Sequence, residues 1–505
     1  MKALNRALER CHRWISPNPR VWSARQPLLR WNGWRAFTVG QSLEHVLAFG
    51  ASGSGKSSGC IKSMILGMLH AGYGMLLLSA KGTDPDDFLK WVSMTGREKS
   101  VVRFGPAHRL GFNLLEYELG RGGASEDRTM NVAGILGAVG EITARSQHDR
   151  QGERIWQDAA EGLLSHALNV VLLAAGKVEL DEVVAVVASA PANLAEAGDA
   201  AWRRSSVCYQ RLVAAEVRRG TSRALGLARE YFLQRWPRFP GDTKNSVYFT
   251  FSAMMNLLQH DPLHRLFFSK TDFTPAILRD GAVLLVEAPT LSEGVQGKVI
   301  TGLMRLAVER MAQQHKAGKG ERPMAILWDE FQTSVTRADS SFAAVARSHG
   351  CSLVMATQNV PAVQDAIGHD SARALFGNCR TKLFFSNDDP ETNQYMAEVV
   401  SKWPVRRESV SQDERGHSSK TKNPDQEEYA VPPRQALTLK TGGDEFKCQV
   451  TAILVQSGRQ LSGGKPTMQV LFHQERPMWG IWRSVMGRTG VLAERRPAPD
   501  FRWVS

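Results

Sequence analysis

The sequence predicts an α/β protein with a doubly wound, mostly parallel sheet and an all-α domain inserted into it. Three observations support this fold class. Short apolar runs alternate with segments of helical periodicity, which is typical of parallel sheets covered by helices on both faces. A glycine-rich loop joins the first apolar run to a helix. Residues 118–275 show helical periodicity almost throughout and are too regular for a loop.

Each predicted strand is a short apolar run bounded by glycine or polar residues. Three runs precede the helical block and four follow it, with helical segments between them. The helical block itself includes RIWQDAAEGLLSHALNVVLLAAG, which is apolar or amphipathic with a helical period. The seven runs are VLAF, MLLLS, VVRFGPA, GAVLLVEAP, MAILW, SLVMATQ and RTKLFFSN.

The glycine-rich loop has the spacing of a phosphate-binding loop. HVLAFGASGSGKSS, residues 45–58, meets the pattern G-x-x-x-x-G-K-[S/T] between a predicted strand and a predicted helix. Glycines let successive backbone N–H groups point at phosphate oxygens. Lys56 can reach the outer phosphates, and Ser57 can offer its hydroxyl to Mg²⁺. The residues expected to bind the nucleotide are Gly50, Ser52, Gly53, Ser54, Gly55, Lys56, Ser57 and Ser58.

Two adjacent acids follow the apolar run MAILW and supply the partner that a phosphate loop needs. Asp329 is expected to hold Mg²⁺, together with Ser57. Glu330 is expected to orient and deprotonate the attacking water. The double acid therefore favours hydrolysis of a nucleoside triphosphate over phosphoryl transfer to a small substrate.

Two further polar residues are catalytic candidates. Gln358 ends the strand after the acids, where its amide can sense the γ-phosphate or position water. Arg347 lies between the acids and Gln358 and, in a ring, can face the nucleotide of the neighbouring subunit as an arginine finger. Arg380 and Lys382 are weaker candidates for the same role.

The charge of the chain favours a polyanionic partner. The formal net charge is +13, and residues 1–40 hold eight basic residues against one acid. Nucleic acid and anionic lipid both suit this excess, although a solvated basic surface explains it equally well. The six cysteines show no metal-ligand spacing, and no apolar run is long enough to cross a bilayer.

Taken together, the motifs resemble those of the type IV coupling proteins, the DNA-transfer ATPases of conjugation and type IV secretion. The resemblance extends from about residue 36 to residue 475. It rests on an ordered set rather than on the phosphate loop alone. The set comprises HVLAFGASGSGKSS, AKG, FGPAHRLGFNLL, IWQDAAEGLLSHAL, AILWDEFQ, ARSHGCSLVMATQNVPAVQDAIG, FGNCRTKLFFSNDDPETNQYMAEVV and VPPRQALTL.

The resemblance implies a RecA-like nucleotide-binding domain and a homohexameric ring that hydrolyses ATP, with Mg²⁺, at subunit interfaces. The expected activity is transfer of single-stranded DNA, with its attached relaxase, into a secretion channel. Lys56, Ser57, Asp329, Glu330 and Gln358 match nucleotide-site positions of the family. Arg347 matches its trans-acting arginine.

Two departures from the family pattern keep other interpretations open. Ser79 stands where the family commonly has an acid before its AKG-like stretch, and the transmembrane helices usual in the family are not seen in this sequence. A cytoplasmic protein held at the inner membrane by partner proteins is expected. The alternatives are a soluble translocase acting on duplex DNA and a scaffold whose ring is locked by nucleotide.

The predicted organisation has four parts, one of them in two pieces, and one mobile loop. The loop, about 404–428, is polar and charged. The four parts are a basic tryptophan-containing segment (1–35), a RecA-like nucleotide-binding domain in two pieces (36–117 and 276–475), an all-α insertion (118–275) and a C-terminal tail (476–505).

Overall fold

The structure is a computed structural model. The residues that it describes are 22–32, 35–122, 125–143, 147–405, 408–412, 418–422, 426–462 and 464–475. Most of the predicted basic segment and the whole predicted tail therefore lie outside the described residues.

Nine strands form one large sheet in the order β15-β14-β9-β3-β8-β7-β4-β6-β5. The run from β9 to β5 is parallel throughout, and β14 and β15 add antiparallel strands to one edge. The strands of the chain are β1 (Pro27–Trp31), β2 (Arg35–Thr38), β3 (Val46–Phe49), β4 (Gly74–Leu78), β5 (Val101–Phe104), β6 (Val283–Val286), β7 (Met324–Trp328), β8 (Cys351–Thr357), β9 (Thr381–Phe384), β10 (Lys402–Val405), β11 (Glu408–Gln412), β12 (Ser418–Lys422), β13 (Gln426–Tyr429), β14 (Gln449–Gln456) and β15 (Thr467–His473).

Both faces of the central strands are buried, which explains why they are continuously apolar in the sequence. In β3, Val46 and Ala48 belong to the core on one face, whereas Leu47 and Phe49 belong to the core on the other. This two-sided, mostly parallel sheet confirms the predicted α/β fold class.

Helices cover both faces of the sheet. They are α1 (Val39–Ser42), α2 (Lys62–Ala71), α3 (Asp84–Ser93), α4 (Leu114–Leu119), α5 (Ser125–Thr143), α6 (Gln147–Ala175), α7 (Leu180–Ala188), α8 (Leu194–Gly198), α9 (Ala200–Ser205), α10 (Val207–Arg219), α11 (Arg223–Glu230), α12 (Gly241–Gln259), α13 (Gly294–Gln313), α14 (Ala338–Ala346), α15 (Val360–Ile367), α16 (His369–Asn378) and α17 (Pro390–Val400). Short π or 3₁₀ turns cover Lys56–Ile61, Glu98–Ser100, Tyr231–Arg235, Trp236–Arg238, Arg265–Ser269, Pro275–Leu278, Phe331–Thr333, Arg347–His349 and Pro433–Thr438.

The helical block between β5 and β6 contains α4 to α12. Its centre is α6, which packs against α5, α7, α10, α11 and α12. Leu164, Leu168 and Val171 recur at helical spacing along α6 and are fully buried. The domain boundaries predicted at 118 and 275 stay a prediction. No helix among the described residues is long and apolar enough to cross a lipid bilayer.

The segment predicted as a loop at about 404–428 differs from that expectation. Where it is described, β10 pairs with β13 and β11 pairs with β12, both antiparallel. Polar strands of this kind have no apolar alternation, so the sequence pattern does not reveal them. Whether the segment moves stays a prediction.

Two tryptophans of the N-terminal region pack inside the protein. Trp31 is 1% exposed and lies in edge-to-face contact with Phe472 of β15. Trp22 is buried and donates its indole N–H to the carbonyl of Ala71 at the end of α2. Their role is therefore to attach the β1–β2 hairpin to the sheet domain.

Candidate nucleotide-binding site

The phosphate-binding loop lies between β3 and α2, at the carboxyl edge of the parallel strands. Gly55 has φ 83°, in the left-handed region. A Cβ atom at this position would lie 2.5 Å from a methyl carbon of Val450 and 3.0 Å from the carbonyl oxygen of Thr441. Only glycine fits there, because both the backbone conformation and the space exclude a side chain. The helix after the loop opens with the wide π turn Lys56–Ile61.

Lys56 lies inside the loop, with 5% of its surface exposed. Its ammonium group donates to the carbonyl oxygens of Gly50 and Ala51, the latter over 3.2 Å. Burial lowers the pKa of Lys56, and the nearby carboxylates of Glu330 and Asp329 act in the opposite direction. A desolvated lysine with few competing partners is well placed to bind phosphate oxygens.

The two acids reach the loop from the end of β7. Ser57 Oγ donates a hydrogen bond of 2.6 Å to Asp329 Oδ2. Glu330 has φ 48° and accepts a hydrogen bond of 2.7 Å from the amide of Gln332. Asp329 and Glu330 are both buried. The structure thus brings the predicted metal residues Ser57 and Asp329 into contact and places Glu330 beside them.

Gln358 follows β8, which lies between β3 and β7 in the sheet. Its carbonyl oxygen accepts hydrogen bonds from the Gly50 N–H over 3.2 Å and from the Asn387 amide over 2.7 Å. The main chain of Gln358 is therefore fixed at the start of the phosphate loop. Its side chain is half-buried and is not among the described side chains that line the cleft.

The loop and the acids border a cleft of about 350 Å³ that also contains residues the sequence analysis missed. Asp84, at the start of α3, accepts hydrogen bonds from the Ala80 and Lys81 N–H groups over 2.8 and 2.7 Å. Burial raises its pKa. Ser79, by contrast, is buried and donates to the carbonyl of Val286. Asp84 thus places a carboxylate in the lining of the cleft, whereas Ser79 does not reach it. The sequence feature that could have indicated Asp84 is the acidic run that follows AKG.

Gln474 is a second residue that sequence reasoning missed. It follows β15, and its amide N–H donates to Ser58 Oγ over 2.8 Å. The main-chain carbonyl oxygen of Gln474 accepts a hydrogen bond from the ammonium group of Lys62. It lies 416 residues from Ser58 in the chain, so no local pattern indicates that it borders the cleft.

The arrangement fits a triphosphate with a magnesium ion. Ser57 and Asp329 offer adjacent oxygen atoms, which are the ligands that Mg²⁺ prefers. Ser54 Oγ is buried in the loop without a hydrogen-bond partner, so the cradle holds a polar group that a phosphate oxygen would satisfy. The residues that would hold these ligands are Ser54, Lys56, Ser57 and Asp329.

The structure does not bring Arg347 to this cleft. Arg347 precedes β8, at the opposite edge of the parallel strands from the phosphate loop. Its side chain is 61% exposed and forms a 3.3 Å ion pair with Glu44. Among the weaker candidates, Arg380 is exposed, but Lys382 is buried and donates to the Cys379 carbonyl. Lys382 therefore has no exposed ammonium group to offer a neighbour.

One comparison matches part of the chain to a protein-family model. Residues 323–440 match a family model described as the TraM recognition site of TraD and TraG. These residues build β7, β8 and β9, so the match includes the acids of the cleft. No curated protein sequence matches the chain significantly.

Solved structures of a coupling protein share the fold. The unbound bacterial conjugative coupling protein TrwB aligns with a TM-score of 0.57 at 14% identity, covering 93% of each chain. The plasmid coupling protein TrwB with ADP and Mg²⁺ aligns at 0.55 and 16%, covering 93% of this chain and 94% of that chain. TrwB with the ATP analogue ADPNP gives the same values. The predicted RecA-like fold and the predicted resemblance to the type IV coupling proteins are therefore confirmed.

Proposed function

We propose that this chain is a ring-forming ATPase that couples ATP hydrolysis to the transfer of single-stranded DNA, with its relaxase, into a type IV secretion channel. The observation that carries the proposal is the contact between Ser57 of the phosphate loop and Asp329, with Glu330 beside it. A magnesium site and a carboxylate base at the same triphosphate are what hydrolysis requires.

Four residues of the cleft, together with Gln358, have a defined part in this chemistry. Lys56 neutralises the outer phosphates of ATP, and Ser57 and Asp329 would hold Mg²⁺. When bound, the ion supplies charge stabilisation at the phosphate oxygens. Glu330 accepts the proton of the water that attacks the γ-phosphorus, while the bond to the ADP oxygen breaks. Gln358 is proposed to orient that water on the basis of its position at the end of the strand between loop and acids, although its side chain does not line the cleft in this structure.

A ring would supply the arginine that the described lining of the cleft does not contain. Among the described residues that line it, the cations are lysines and none is an arginine. Transition-state charge in phosphoryl transfer is commonly stabilised by an arginine, supplied in cis or in trans. We assign this role to Arg347 of a neighbouring subunit, since Arg347 is exposed at the amino-terminal ends of the parallel strands, opposite the phosphate loop.

The partners are proposed from charge and from the family match. The formal net charge of +13 favours contact with DNA phosphates, and such contact weakens steeply with salt. A TraM-like accessory protein fits the description of the family model that matches residues 323–440. Attachment to the inner membrane would then depend on such partner proteins.

The test is ATP hydrolysis by the purified full chain, with and without single-stranded DNA at low salt. We expect DNA to stimulate hydrolysis, and we expect Lys56→Ala and Glu330→Gln to abolish it. Glu330→Gln retains the size of the side chain, so it should still bind a fluorescent ATP analogue. Equal hydrolysis with and without DNA would contradict the motor. Stimulation by duplex DNA alone would favour the duplex translocase, and very slow turnover with nucleotide-dependent assembly would favour the scaffold.

A further inference from the structure

Glu44 is a buried carboxylate shared by two arginines. It lies at the amino-terminal ends of the parallel strands, opposite the phosphate loop. Its side chain is 7% exposed. Its Oε1 lies 3.3 Å from Nη1 of Arg347, and its Oε2 lies 2.8 Å from Nη1 of Arg459. The guanidinium of Arg347 thus has a fixed, charged partner although most of this side chain faces solvent.

The main chain around Glu44 is held rigidly. The Glu44 carbonyl accepts from the Arg380 N–H over 2.9 Å, and the His45 carbonyl accepts from the Thr381 N–H over 3.2 Å. His45 has φ 65°, a left-handed conformation that costs free energy in a residue with a side chain. A strained turn persists where the surrounding contacts determine it.

The ring of His45 joins the two elements that bracket Arg347. Its Nε2 donates to the Ala343 carbonyl of α14 over 2.9 Å, and its Nδ1 accepts from the Leu353 N–H of β8 over 3.2 Å. Burial lowers the pKa of His45 to about 4, so the ring is neutral at pH 7 and keeps one donor and one acceptor. The backbone on both sides of Arg347 is therefore fixed by the residue next to Glu44.

We propose that Glu44 and His45 position Arg347 for the nucleotide site of a neighbouring copy of this chain. The inference rests on the proposed function, and it makes Glu44 necessary for hydrolysis although Glu44 is remote from the cleft of its own subunit. A preorganised guanidinium stabilises transition-state charge without reorganising, whereas a free arginine on the surface must first be ordered. Arg459 balances the charge of Glu44, and its side chain is 28% exposed against 61% for Arg347.

The first test is steady-state hydrolysis by Glu44→Gln, which removes the charge but retains the size of the side chain. We expect kcat to fall roughly 10- to 100-fold, as for other small misplacements of a catalytic group. The KM for ATP should stay unchanged, since each subunit binds ATP with its own loop. Arg459→Ala should change kcat less than about threefold, as expected for a partly exposed ion pair.

Glu118→Gln is the matched control. Glu118 is also a buried carboxylate shared by two arginines, Arg121 and Arg310. It lies on α4 and does not line the cleft, and its ion-pair partners do not include Arg347. We expect it to lower thermal stability about as much as Glu44→Gln, with kcat unchanged. A loss of kcat caused only by destabilisation would therefore appear in both variants.

The second test is complementation in mixed rings. Glu44→Gln chains retain the phosphate loop, and Lys56→Ala chains retain a correctly held Arg347. Mixing the impaired Glu44→Gln chain with the inactive Lys56→Ala chain should restore hydrolysis above the sum of their separate activities, as should mixing Arg347→Ala with Lys56→Ala. Simple misfolding of Glu44→Gln would not be rescued.

Three outcomes would overturn the positioning role. Glu44→Gln could hydrolyse like the wild-type chain while Arg347→Ala does not, or Arg347→Ala could be complemented while Glu44→Gln is not. In the third outcome, Arg459→Ala loses kcat and Arg347→Ala does not, which would show that Glu44 serves Arg459. Failure of the proposed function itself would look different, because the wild-type chain would then not hydrolyse ATP or would hydrolyse it equally with and without DNA.

Discussion

Ser57 Oγ donates a 2.6 Å hydrogen bond to Asp329 Oδ2, although the two residues are 272 positions apart in the chain. The contact joins the phosphate loop after β3 to the end of β7, across the strand β8 that separates them in the sheet. Oxygen atoms of a hydroxyl and a carboxylate at this separation suit Mg²⁺. The whole helical block is inserted between these two halves of the site.

Removing the Ser57 hydroxyl should raise the Mg²⁺ concentration that ATP hydrolysis requires. For Ser57→Ala we expect the apparent Mg²⁺ affinity in ATP hydrolysis to fall about 10- to 100-fold. Ser57→Thr keeps a hydroxyl and should retain most activity. Ser58→Ala is the control, since Ser58 bonds Gln474 rather than an acid. If Ser57→Ala and Ser58→Ala gave the same Mg²⁺ titration, Ser57 would not be a metal residue.

Gly53 and Gly55 provide a matched pair for testing the shape of the loop. Their φ angles are similar, 76° and 83°, but a Cβ at Gly53 meets no atom within 4 Å, whereas one at Gly55 meets Val450 and Thr441. Gly53→Ala should therefore cost about 1 kcal/mol of unfolding free energy, the left-handed penalty alone. Gly55→Ala should cost about 3 kcal/mol or more, because overpacking adds to that penalty. Urea unfolding measures both, and equal costs would contradict the packing argument.

The sequence predicts those parts of the protein that short-range patterns specify. The buried strands, the phosphate loop and the Asp329–Glu330 pair each follow from a local run of residues, so the α/β fold and half of the cleft can be predicted. Of the two residues that sequence reasoning missed, Gln474 reaches the cleft only through tertiary packing, because its partner Ser58 is 416 positions away in the chain. Asp84 bonds the nearby Ala80 and Lys81 N–H groups, so its position has a local signal in the acidic run after AKG.

The same distinction explains why the strand pairs within 404–428 and the antiparallel edge of the sheet are not predicted. A polar antiparallel ribbon has no hydrophobic face, so composition alone indicates a loop. The strands β14 and β15 are not among the predicted strands, although β14 is almost wholly buried. Their antiparallel attachment to β9 is specified by long-range pairing and not by the βα alternation on which the prediction relied.

Mutations in the buried ionic cluster behind the acids should have strongly non-additive effects on the free energy of unfolding. Arg305 is fully buried, pairs with Glu309 over 2.8 Å and with Asp339, and lies 4.4 Å from the ring centre of Trp328, the residue before Asp329. Arg305→Met leaves two buried carboxylates unpaired and should cost about 3 to 5 kcal/mol of unfolding free energy.

Adding Glu309→Gln and Asp339→Asn to Arg305→Met should recover more than half of that loss, because no buried charge is then left uncompensated. Urea unfolding of the single and triple variants measures the coupling. Additive costs would show that the three side chains do not act as one unit.

Glu161 should make the stability of the helical block depend on pH. It lines a cleft of about 790 Å³ between α5, α6 and α12, and its carboxylate lies against Gly137. Burial, then the charges of Asp158 and Glu141, raises the pKa of Glu161 from 4.5 to about 7. The folded state therefore keeps a proton that the unfolded state releases. The stability that this proton contributes to the folded state is complete below pH 4.5 and is lost as the pH rises through 7.

Replacing Glu161 with glutamine removes that titration. Because the carboxylate is partly exposed, we expect Glu161→Gln to gain only about 1 to 2 kcal/mol relative to the wild-type chain between pH 5 and pH 8. Asp158→Asn removes one of the charges that raise the pKa, so it should move the wild-type transition to lower pH. Unfolding free energies from urea titrations at pH 5, 6, 7 and 8 measure both effects. Parallel pH profiles for Glu161→Gln and the wild-type chain would show that Glu161 does not hold a proton in the folded protein at neutral pH.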